Sequence, residues 1–299
     1  MSSDNAFRPS SGSRAVVMTV ARDEAVMLPR WVEHYGRHVG FENLVVFDDN
    51  TTDGSTDDLP CTVHRLPRLD TERTPFEKAR MRLLNGAANG FLGWYDAVVF
   101  TDVDEFLVPD PTRYGGLGDF LEARPDKAVL APLALNVVQA PDEAALDPSR
   151  PVLEQRRFAK FVPLMCKPSI KRSQARWTNA SHGIVVPFAV DPELFMLHLK
   201  FADRDNLRRS SDNRRAGVDD DKRPGRSSWG GGGDEMLTVL DQAVDTDLAG
   251  APEFDPAAVD LAGLVVRHGE EYRTLKQGQV RTTRDSPLVR IPARLQGAL

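Results

Sequence analysis

The side chains of this sequence best suited to chemistry are two aspartates one residue apart, Asp102 and Asp104. They lie between two apolar runs, Ala97–Thr101 (AVVFT) and Phe106–Val108 (FLV). Alternate side chains of an extended chain share a face, so we expect the two carboxylates to point the same way. Converging carboxylates form an oxygen site for Mg²⁺ or Mn²⁺, which keep open positions for phosphate oxygens. The alternative is that they only form a turn, because Asp-x-Asp also occurs at three places with the pattern of solvated helices or loops: 203/205, 219/221 and 245/247.

Short apolar strands alternate with helices over the first half of the chain. The predicted elements are a strand Arg14–Val20, a helix Leu28–Gly40, strands Leu44–Phe47 and Thr62–Leu66, a helix Pro75–Asn89 and a strand Ala97–Thr101. This order predicts an α/β fold with a mostly parallel sheet that helices cover on both faces. Ligands of such sheets bind beyond the carboxyl ends of the strands. The polar clusters that follow residues 20, 47 and 101 are therefore expected to form one site.

Two segments carry a family resemblance: ARDEAVMLPRWVEHYGRHVGFENLVVFDDNTTDGSTDDL and TDVDEFLVP. They resemble bacterial glycosyltransferases of the family 2-like group and the related family 92. A looser likeness continues through Lys167–Arg172, Ser181–Gly183 and His198–Arg209. The resemblance implies the GT-A fold, a Rossmann-like nucleotide domain merged with an acceptor half. It also implies transfer of a sugar from a UDP- or GDP-sugar to an acceptor hydroxyl, with inversion at the anomeric carbon and Mn²⁺ or Mg²⁺ as cofactor.

The resemblance assigns the nucleotide to the ends of the first two strands. Arg22, Asp23 and Glu24 would approach the base and ribose, although Asp23 stands where the family usually has Asn. The alternative is a helix N-terminus with acids placed favourably for the dipole. Asp48 and Asp49 end the second strand, where relatives use an acid to bind the nucleobase, and Asp49 is slightly preferred. Turn formation is the alternative for this pair.

Basic side chains later in the chain are candidates for binding the diphosphate. Lys78 and Arg80 lie early on the predicted helix Pro75–Asn89 and could reach the pyrophosphate or the base. The alternative is that they belong to the solvated face of this helix. Lys167 and Lys200 are better phosphate candidates than Lys78 and Arg80, since each lies in an otherwise apolar, strand-like context. Asp102 would join these residues through a metal ion that bridges the phosphates, because such an ion neutralises charge on the leaving diphosphate.

Two histidines are candidates to complete this site. His198 alternates with apolar neighbours in MLHLKF, and the resemblance implies that it joins Asp102 and Asp104 in the metal shell. Neutral imidazole is compatible with Mn²⁺. His182 would face the acceptor or the metal. The alternative for both is a structural histidine that finds a hydrogen bond.

An inverting transfer needs a general base opposite the leaving group. Asp234 and Glu235 are the candidates, since their position resembles that of the acid after the acceptor loop in family 2 enzymes. A glycine-rich hinge, Gly230–Gly233, would let Trp229 close over the sugar. The alternative is a helix cap, for which Asp is well suited.

Bulk properties limit the function classes. A net charge of −6 argues against a nucleic-acid partner. No run approaches the roughly 18 apolar residues of a membrane span. The polar residues 1–13 lack the apolar core of a signal peptide, and two distant cysteines favour a reducing cytoplasm. The predicted organisation is a disordered 1–13, a nucleotide-sugar and acceptor domain 14–215, a flexible 216–233 and a helical extension 234–299.

Two other functions stay open at this point. A nucleotidyltransferase would carry a glycine-rich phosphate loop after the first strand, and ARDEAVM contains no glycine, which disfavours it. A nucleotide-sugar-binding protein of the same fold without transferase activity is the other alternative. The sequence predicts neither the acceptor, whether glycan or small molecule, nor the oligomeric state.

Overall fold

The computed structural model describes residues 14–69, 73–216, 231–274, 283 and 286–299. The strands are β1 (Ala15–Ala21), β2 (Leu44–Asp48), β3 (Thr62–Arg65), β4 (Ala97–Phe100), β5 (Glu105–Pro109), β6 (Val129–Val138), β7 (Phe158–Phe161), β8 (Ile170–Lys171), β9 (Trp177–Thr178), β10 (Gly183–Ile184), β11 (Ala189–Phe201), β12 (Val265–His268), β13 (Glu271–Thr274) and β14 (Leu288–Arg290). The helices are α1 (Met27–Val39), α2 (Arg73–Phe91), α3 (Leu117–Glu122), α4 (Val152–Gln155), α5 (Arg204–Ala216) and α6 (Gly233–Val244). This is the predicted α/β class.

The first four strands form the parallel half of the central sheet, in the order β3-β2-β1-β4. Strand β1 is buried on both faces. Ala15 and Val17 pack on the α1 side of the sheet, and Val16 and Met18 pack on the α2 side. Two-sided burial explains the continuous apolar sequence of this strand. The carboxyl ends of β1, β2 and β4 therefore meet at one edge, as predicted.

The other half of the sheet is mixed. Strand β8 runs antiparallel to β4 and to β6, and so joins the two halves in the order β14-β7-β6-β8-β4. The long strand β11 pairs in parallel with β6 and antiparallel with β5. A second, four-stranded sheet has the order β12-β13-β10-β9. These pairings bring residues from distant parts of the chain to the strand that follows the two aspartates.

The C-terminal part differs from the predicted helical extension 234–299. It begins with α6, but β12 and β13 then enter the small sheet, and β14 pairs with β7 in the central sheet. Helix α6 has a clear apolar stripe, whereas strands of three or four residues are too short for a period of two to be recognised. Strands β12, β13 and β14 thus belong to the same two sheets as the strands of the preceding residues.

The other predicted boundaries lie at or within segments that are outside the described residues. Helix α5 reaches Ala216 and α6 begins at Gly233, close to the limits of the predicted loop 216–233. Residues 1–13 and 217–230, including Trp229, are not among those described. Within the described part of the chain, no helix is long and apolar enough to cross a membrane.

Candidate functional site

The segment between β4 and β5 is a turn. Glu105 N donates to Asp102 O at 3.0 Å, and Leu199 N of β11 donates to Asp104 O at 2.8 Å. The expectation that the two aspartates share a face of an extended chain is therefore wrong: β4 ends at Phe100 and the chain turns before β5 begins. The two carboxylates contact different partners as a result.

Helix α1 fixes this turn through buried polar atoms. Trp31 Nε1 donates to Thr101 Oγ1 at 2.9 Å. Tyr35 Oη donates to Glu105 O at 3.0 Å and accepts from Leu107 N at 2.9 Å. Each buried hydrogen bond of this kind contributes about 1 kcal/mol. The apolar stripe of α1 thus carries the groups that position the acidic turn.

Two cations contact Asp102. Arg80 Nη2 of α2 lies 2.5 Å from Oδ1, and Lys167 Nζ lies 3.1 Å from Oδ2. Burial acts to raise the pKa of Asp102, but Lys167 and Arg80 outweigh it and hold that pKa well below its usual range. Asp102 is therefore an ionised acid that is already paired with two positive charges.

A third acid, Glu105, lies beneath Asp102 and contacts the same lysine. Its side chain is 1% exposed, Lys167 Nζ is 2.5 Å from its Oε1, and Asp102 N donates to its Oε2 at 3.2 Å. Burial raises the pKa of Glu105, against the effect of Lys167. Glu105 is not among the residues predicted from the sequence. The available signal was an acid at the first position of an apolar strand, which requires a buried partner.

Asp104 faces His198 of β11, with Oδ2 3.3 Å from Nε2. Asn136 orients the imidazole: its Oδ1 lies 2.9 Å from His198 Nδ1, and its Nδ2 donates to Thr283 Oγ1 at 2.6 Å. With Nδ1 as the donor, a neutral ring presents a lone pair at Nε2 to a carboxylate oxygen. Either a proton or a metal ion between the two atoms would relieve that repulsion.

Strand register brings these residues into one row. His198 on β11 lies opposite Glu105 of β5 on one side and opposite Asn136 of β6 on the other. Among the described residues, no group of three or more His, Cys, Asp or Glu side chains is arranged to hold a metal ion. The predicted set of Asp102, Asp104 and His198 is thus divided into an Asp104–His198 pair and an Asp102 that is bound to cations.

His182 lies close to the same charges. Its Nδ1 contacts Leu164 O at 3.1 Å. Burial and then the charge of Lys167 lower the pKa of His182 to about 4, so the ring is neutral at pH 7. The two preceding residues, Ala180 and Ser181, have left-handed backbones with φ of 52° and 69°, a conformation that is unusual outside glycine.

The residues after β1 bind the loop that follows β2. Asp23 has φ of 53°, and its Oδ1 accepts from Thr52 N at 2.7 Å and from Thr52 Oγ1 at 3.1 Å. Glu24 N donates to Ser55 Oγ at 3.2 Å. The Asp23 carboxylate therefore joins two loops, whereas Arg22 is about half exposed at the edge of the sheet. The first turn of α1 contains no acid, so the dipole alternative does not describe this segment.

Both oxygens of Asp48 are used inside the protein. Oδ1 accepts from Thr51 N at 2.7 Å, and Oδ2 accepts from Thr56 Oγ1 at 3.2 Å and from Arg65 Nε at 2.9 Å. Burial acts to raise the pKa of Asp48, but these hydrogen bonds lower it overall. The Asp48 carboxylate therefore holds the loop after β2 in place.

Asp49 has a different environment. Its side chain is half-buried, and Asn50 Nδ2 approaches its Oδ1 at only 3.5 Å. Burial raises its pKa, and the nearby charge of Arg22 offsets only part of this effect. Of the two adjacent acids, Asp49 has the carboxylate with fewer hydrogen bonds to the rest of the protein.

The remaining predicted cations have different positions. Lys78 is exposed on α2, two residues before Arg80 and thus about 200° around the helix from it. The cation of α2 that reaches the acidic turn is Arg80. Lys200 is nearly buried, and its Nζ lies 5.5 Å from the centre of the Phe201 ring.

The two candidates for the general base lie in the first turn of α6. The Asp234 side chain is 92% exposed, and its Oδ1 is 2.9 Å from Arg208 Nη2 of α5. Glu235 is also exposed. Helix α6 packs with α5 on the ends of β6 and β11, near Val138 and Phe201. No contact given by the described residues joins either acid to the acidic turn, so their role stays a prediction.

Comparisons with known proteins add little to this geometry. No family model matches the chain, and no curated protein matches it. Among solved structures, the chain is similar to the mannosyltransferase PcManGT from Pyrobaculum calidifontis in complex with GDP-Man and Mn²⁺, with 18% identity and a TM-score of 0.27. The aligned part covers 45% of this chain and 38% of the mannosyltransferase chain. A likeness of this size carries no argument about function.

Proposed function

We propose that this protein is a metal-dependent glycosyltransferase, which moves a sugar from a UDP- or GDP-sugar to an acceptor hydroxyl. The observation that carries the proposal is the pair Asp104 Oδ2 and His198 Nε2, 3.3 Å apart beside the cations on Asp102. A divalent cation needs donor atoms such as those of Asp104 and His198. A diphosphate needs positive charges beside them, such as those of Arg80 and Lys167. The site also follows β4, at the edge where α/β sheets bind nucleotides.

The residues present fit a divalent ion that is shared with the substrate. Asp104 supplies an oxygen donor and His198 a nitrogen donor whose ring Asn136 orients, and outer partners of this kind tune metal ligands. Ions of this class commonly use one or two protein donors together with phosphate oxygens. When bound, the ion would neutralise charge on the leaving diphosphate. The mixed donor pair favours Mn²⁺ over Mg²⁺.

In this proposal, the Asp102 carboxylate holds two cations at the position where the diphosphate would bind. It holds the Arg80 guanidinium and the Lys167 ammonium, and Glu105 keeps the ammonium in place from below. Phosphate oxygens that arrive beside Asp102 would accept hydrogen bonds from the same two groups. Lys200 is a further candidate for the phosphates. His182, neutral at pH 7, would donate or accept a hydrogen bond without adding charge.

Asp49 is the proposed acceptor of hydrogen bonds from the nucleobase. The support is that both oxygens of Asp48 already accept hydrogen bonds within the protein, whereas Asp49 is half-buried at the same edge of the sheet. Arg22 and Glu24 would line the ribose side, and Asp23 would hold the two loops together. Lys78, exposed on α2, is the weakest member of the predicted set.

The proposed reaction is a direct displacement. The acceptor oxygen forms a bond to the anomeric carbon, the bond from that carbon to the β-phosphate oxygen breaks, and its electron pair leaves with the nucleoside diphosphate. The hydroxyl proton passes to a general base on the face opposite the leaving group, which inverts the anomeric centre. Asp234 and Glu235 are the proposed candidates for that base.

The proposal is tested by release of nucleoside diphosphate from a panel of UDP- and GDP-sugars with Mn²⁺. Slow donor hydrolysis needs no acceptor and should be detected with the full chain. Asp104→Ala should remove it without lowering thermal stability. Asp245→Ala, which alters an exposed Asp-x-Asp elsewhere, should retain it. Unchanged turnover of Asp104→Ala in saturating Mn²⁺ would contradict the proposal.

The same assay distinguishes the alternatives. Donor binding without diphosphate release, in the presence and absence of acceptors, would favour a binding protein of this fold. Release of pyrophosphate from a nucleoside triphosphate would favour a nucleotidyltransferase. That function lacks support in the loop after β1, where Arg22, Asp23 and Glu24 stand in place of a glycine-rich phosphate loop.

A further inference from the structure

A row of polar side chains crosses the central sheet beside the acidic turn. Glu105 of β5, His198 of β11, Asn136 of β6 and Lys160 of β7 lie opposite one another on neighbouring strands. Residues that are paired in register share a face of the sheet, so these four side chains lie on the same side of it. All four are buried. Buried polar groups cost free energy unless they are hydrogen-bonded, so their partners decide how the row is held.

The part of the chain just before β14 supplies two of these partners. Asn136 Nδ2 donates to Thr283 Oγ1 at 2.6 Å, and Lys160 Nζ donates to Ser286 O at 2.7 Å. Thr283 and Ser286 are both buried. Ser286 comes two residues before β14, which pairs with β7 beside Lys160. The pairing of β14 at the edge of the sheet therefore brings the Thr283 hydroxyl to the side chain that contacts His198.

The orientation of the Asn136 amide decides which ring nitrogen of His198 carries the hydrogen. In the structure, Asn136 Oδ1 lies 2.9 Å from His198 Nδ1 and accepts a hydrogen bond from it, so a neutral ring keeps its lone pair at Nε2, towards Asp104. If the amide turned over, Nδ2 would donate to Nδ1, and the ring hydrogen would lie on Nε2 and donate to Asp104 Oδ2. Nε2 could not then bind a metal ion.

We propose that Thr283 is a positioning residue, which holds the Asn136 amide in the orientation that leaves His198 Nε2 available to a divalent cation. This inference rests on the proposed function, because the cation is part of that proposal. Without the hydroxyl, Asn136 Nδ2 would be buried and unpaired unless the amide turned towards His198. A buried N–H without a partner is rarer than a buried C=O without one, so the turned amide is the expected result. Thr283 thus acts on the metal ligand through Asn136.

The test uses Thr283→Val, which replaces the hydroxyl with a methyl group of similar size. Long-range ¹H–¹⁵N correlation spectra of the metal-free full chain at pH 8 report which ring nitrogen of His198 carries the hydrogen, and the signals are assigned by their loss in His198→Gln. The wild type should have the hydrogen on Nδ1, and Thr283→Val should have it on Nε2. Mn²⁺ binding, measured by electron paramagnetic resonance, should weaken about tenfold in Thr283→Val and recover in Thr283→Ser.

Two comparisons separate positioning from a general structural role. Thr112 Oγ1 donates to Asp110 Oδ1 at the same length of 2.6 Å, at an exposed position, so Thr112→Val should leave the His198 ring and Mn²⁺ binding unchanged. Asn136→Asp places an acceptor oxygen at both ends of the group. In that background the hydrogen on His198 Nδ1 should be kept with or without the Thr283 hydroxyl, because turning the group changes nothing.

The outcomes distinguish this inference from the proposed function. A hydrogen on His198 Nε2 in the metal-free wild type would overturn the inference, and this measurement needs no variant. An unchanged ring in Thr283→Val would also overturn it. Mn²⁺-dependent donor hydrolysis by the wild type would leave the proposed function intact in either case. A ring hydrogen that moves in Thr283→Val, with no Mn²⁺ binding or donor hydrolysis by the wild type, would support the positioning role and contradict the proposed function.

Discussion

Replacing Lys167 with Met tests how the charges beneath the acidic turn are balanced. The Lys167 side chain is 3% exposed and that of Glu105 is 1% exposed, with Nζ 2.5 Å from Oε1. An exposed ion pair contributes about 0–1 kcal/mol, whereas removal of one partner of a buried pair costs about 3–5 kcal/mol. Because both groups are buried, the larger free-energy cost applies here. We therefore expect Lys167→Met to lose about 3–5 kcal/mol of unfolding free energy at pH 8.

The pH dependence of this loss has a definite sign. Without the ammonium, burial raises the pKa of Glu105 further above its unfolded value. The folded state then holds a proton that the unfolded state releases, so the stability of the variant falls as the pH rises. Urea unfolding should accordingly show a smaller loss at pH 5 than at pH 8.

A double variant provides the control for Lys167→Met. Glu105→Gln in the Lys167→Met background removes the unpaired charge and keeps an oxygen that can accept from Asp102 N. It should recover most of the lost stability at pH 8. A loss under 1 kcal/mol for Lys167→Met, or a double variant that is less stable than Lys167→Met alone, would refute the account of this buried pair.

Three further predictions concern the other parts of the site. Asn136→Leu should weaken Mn²⁺ binding about 10–100-fold by electron paramagnetic resonance, because it removes the hydrogen bond that orients His198. Asp48→Asn should lower the urea midpoint, whereas Asp49→Asn should keep it and reduce nucleotide binding by calorimetry; the reverse pattern would exchange their roles. His182 has a folded pKa of about 4 against an ordinary 6.5, so its contribution to stability is lost as the pH falls between these values. His182→Asn should flatten the stability profile in that window, and an unchanged slope would contradict this.

The first half of the fold was predictable because its signals are local. Helix α1 and strands β1, β2 and β4 each begin and end within one or two residues of their predicted limits. Two-sided burial makes these strands continuously apolar, and α1 has a clear stripe. Strand β14, by contrast, has three residues, and its place beside β7 depends on a free sheet edge rather than on its own sequence.

The site was predictable only in part. Asp104 and His198 were expected together from the family resemblance, and they are neighbours in the structure. The pairing of Asp102 with cations and the roles of Glu105 and Asn136 depend on strand register between segments far apart in the chain. The local periodicity of apolar residues, from which helices and strands are predicted, carries no information about such pairings. The same reason explains Asp48, whose partner Arg65 lies on the next strand of the sheet.

The most direct test of the central claim is a crystal structure of the full chain with Mn²⁺ and either GDP or UDP, with anomalous data collected at the manganese edge. The account predicts one anomalous peak bonded to Asp104 and to Nε2 of His198, with diphosphate oxygens completing its shell and Arg80 and Lys167 beside them. A peak elsewhere, or a bound nucleotide that leaves Asp104 and His198 in contact only with each other, would contradict it.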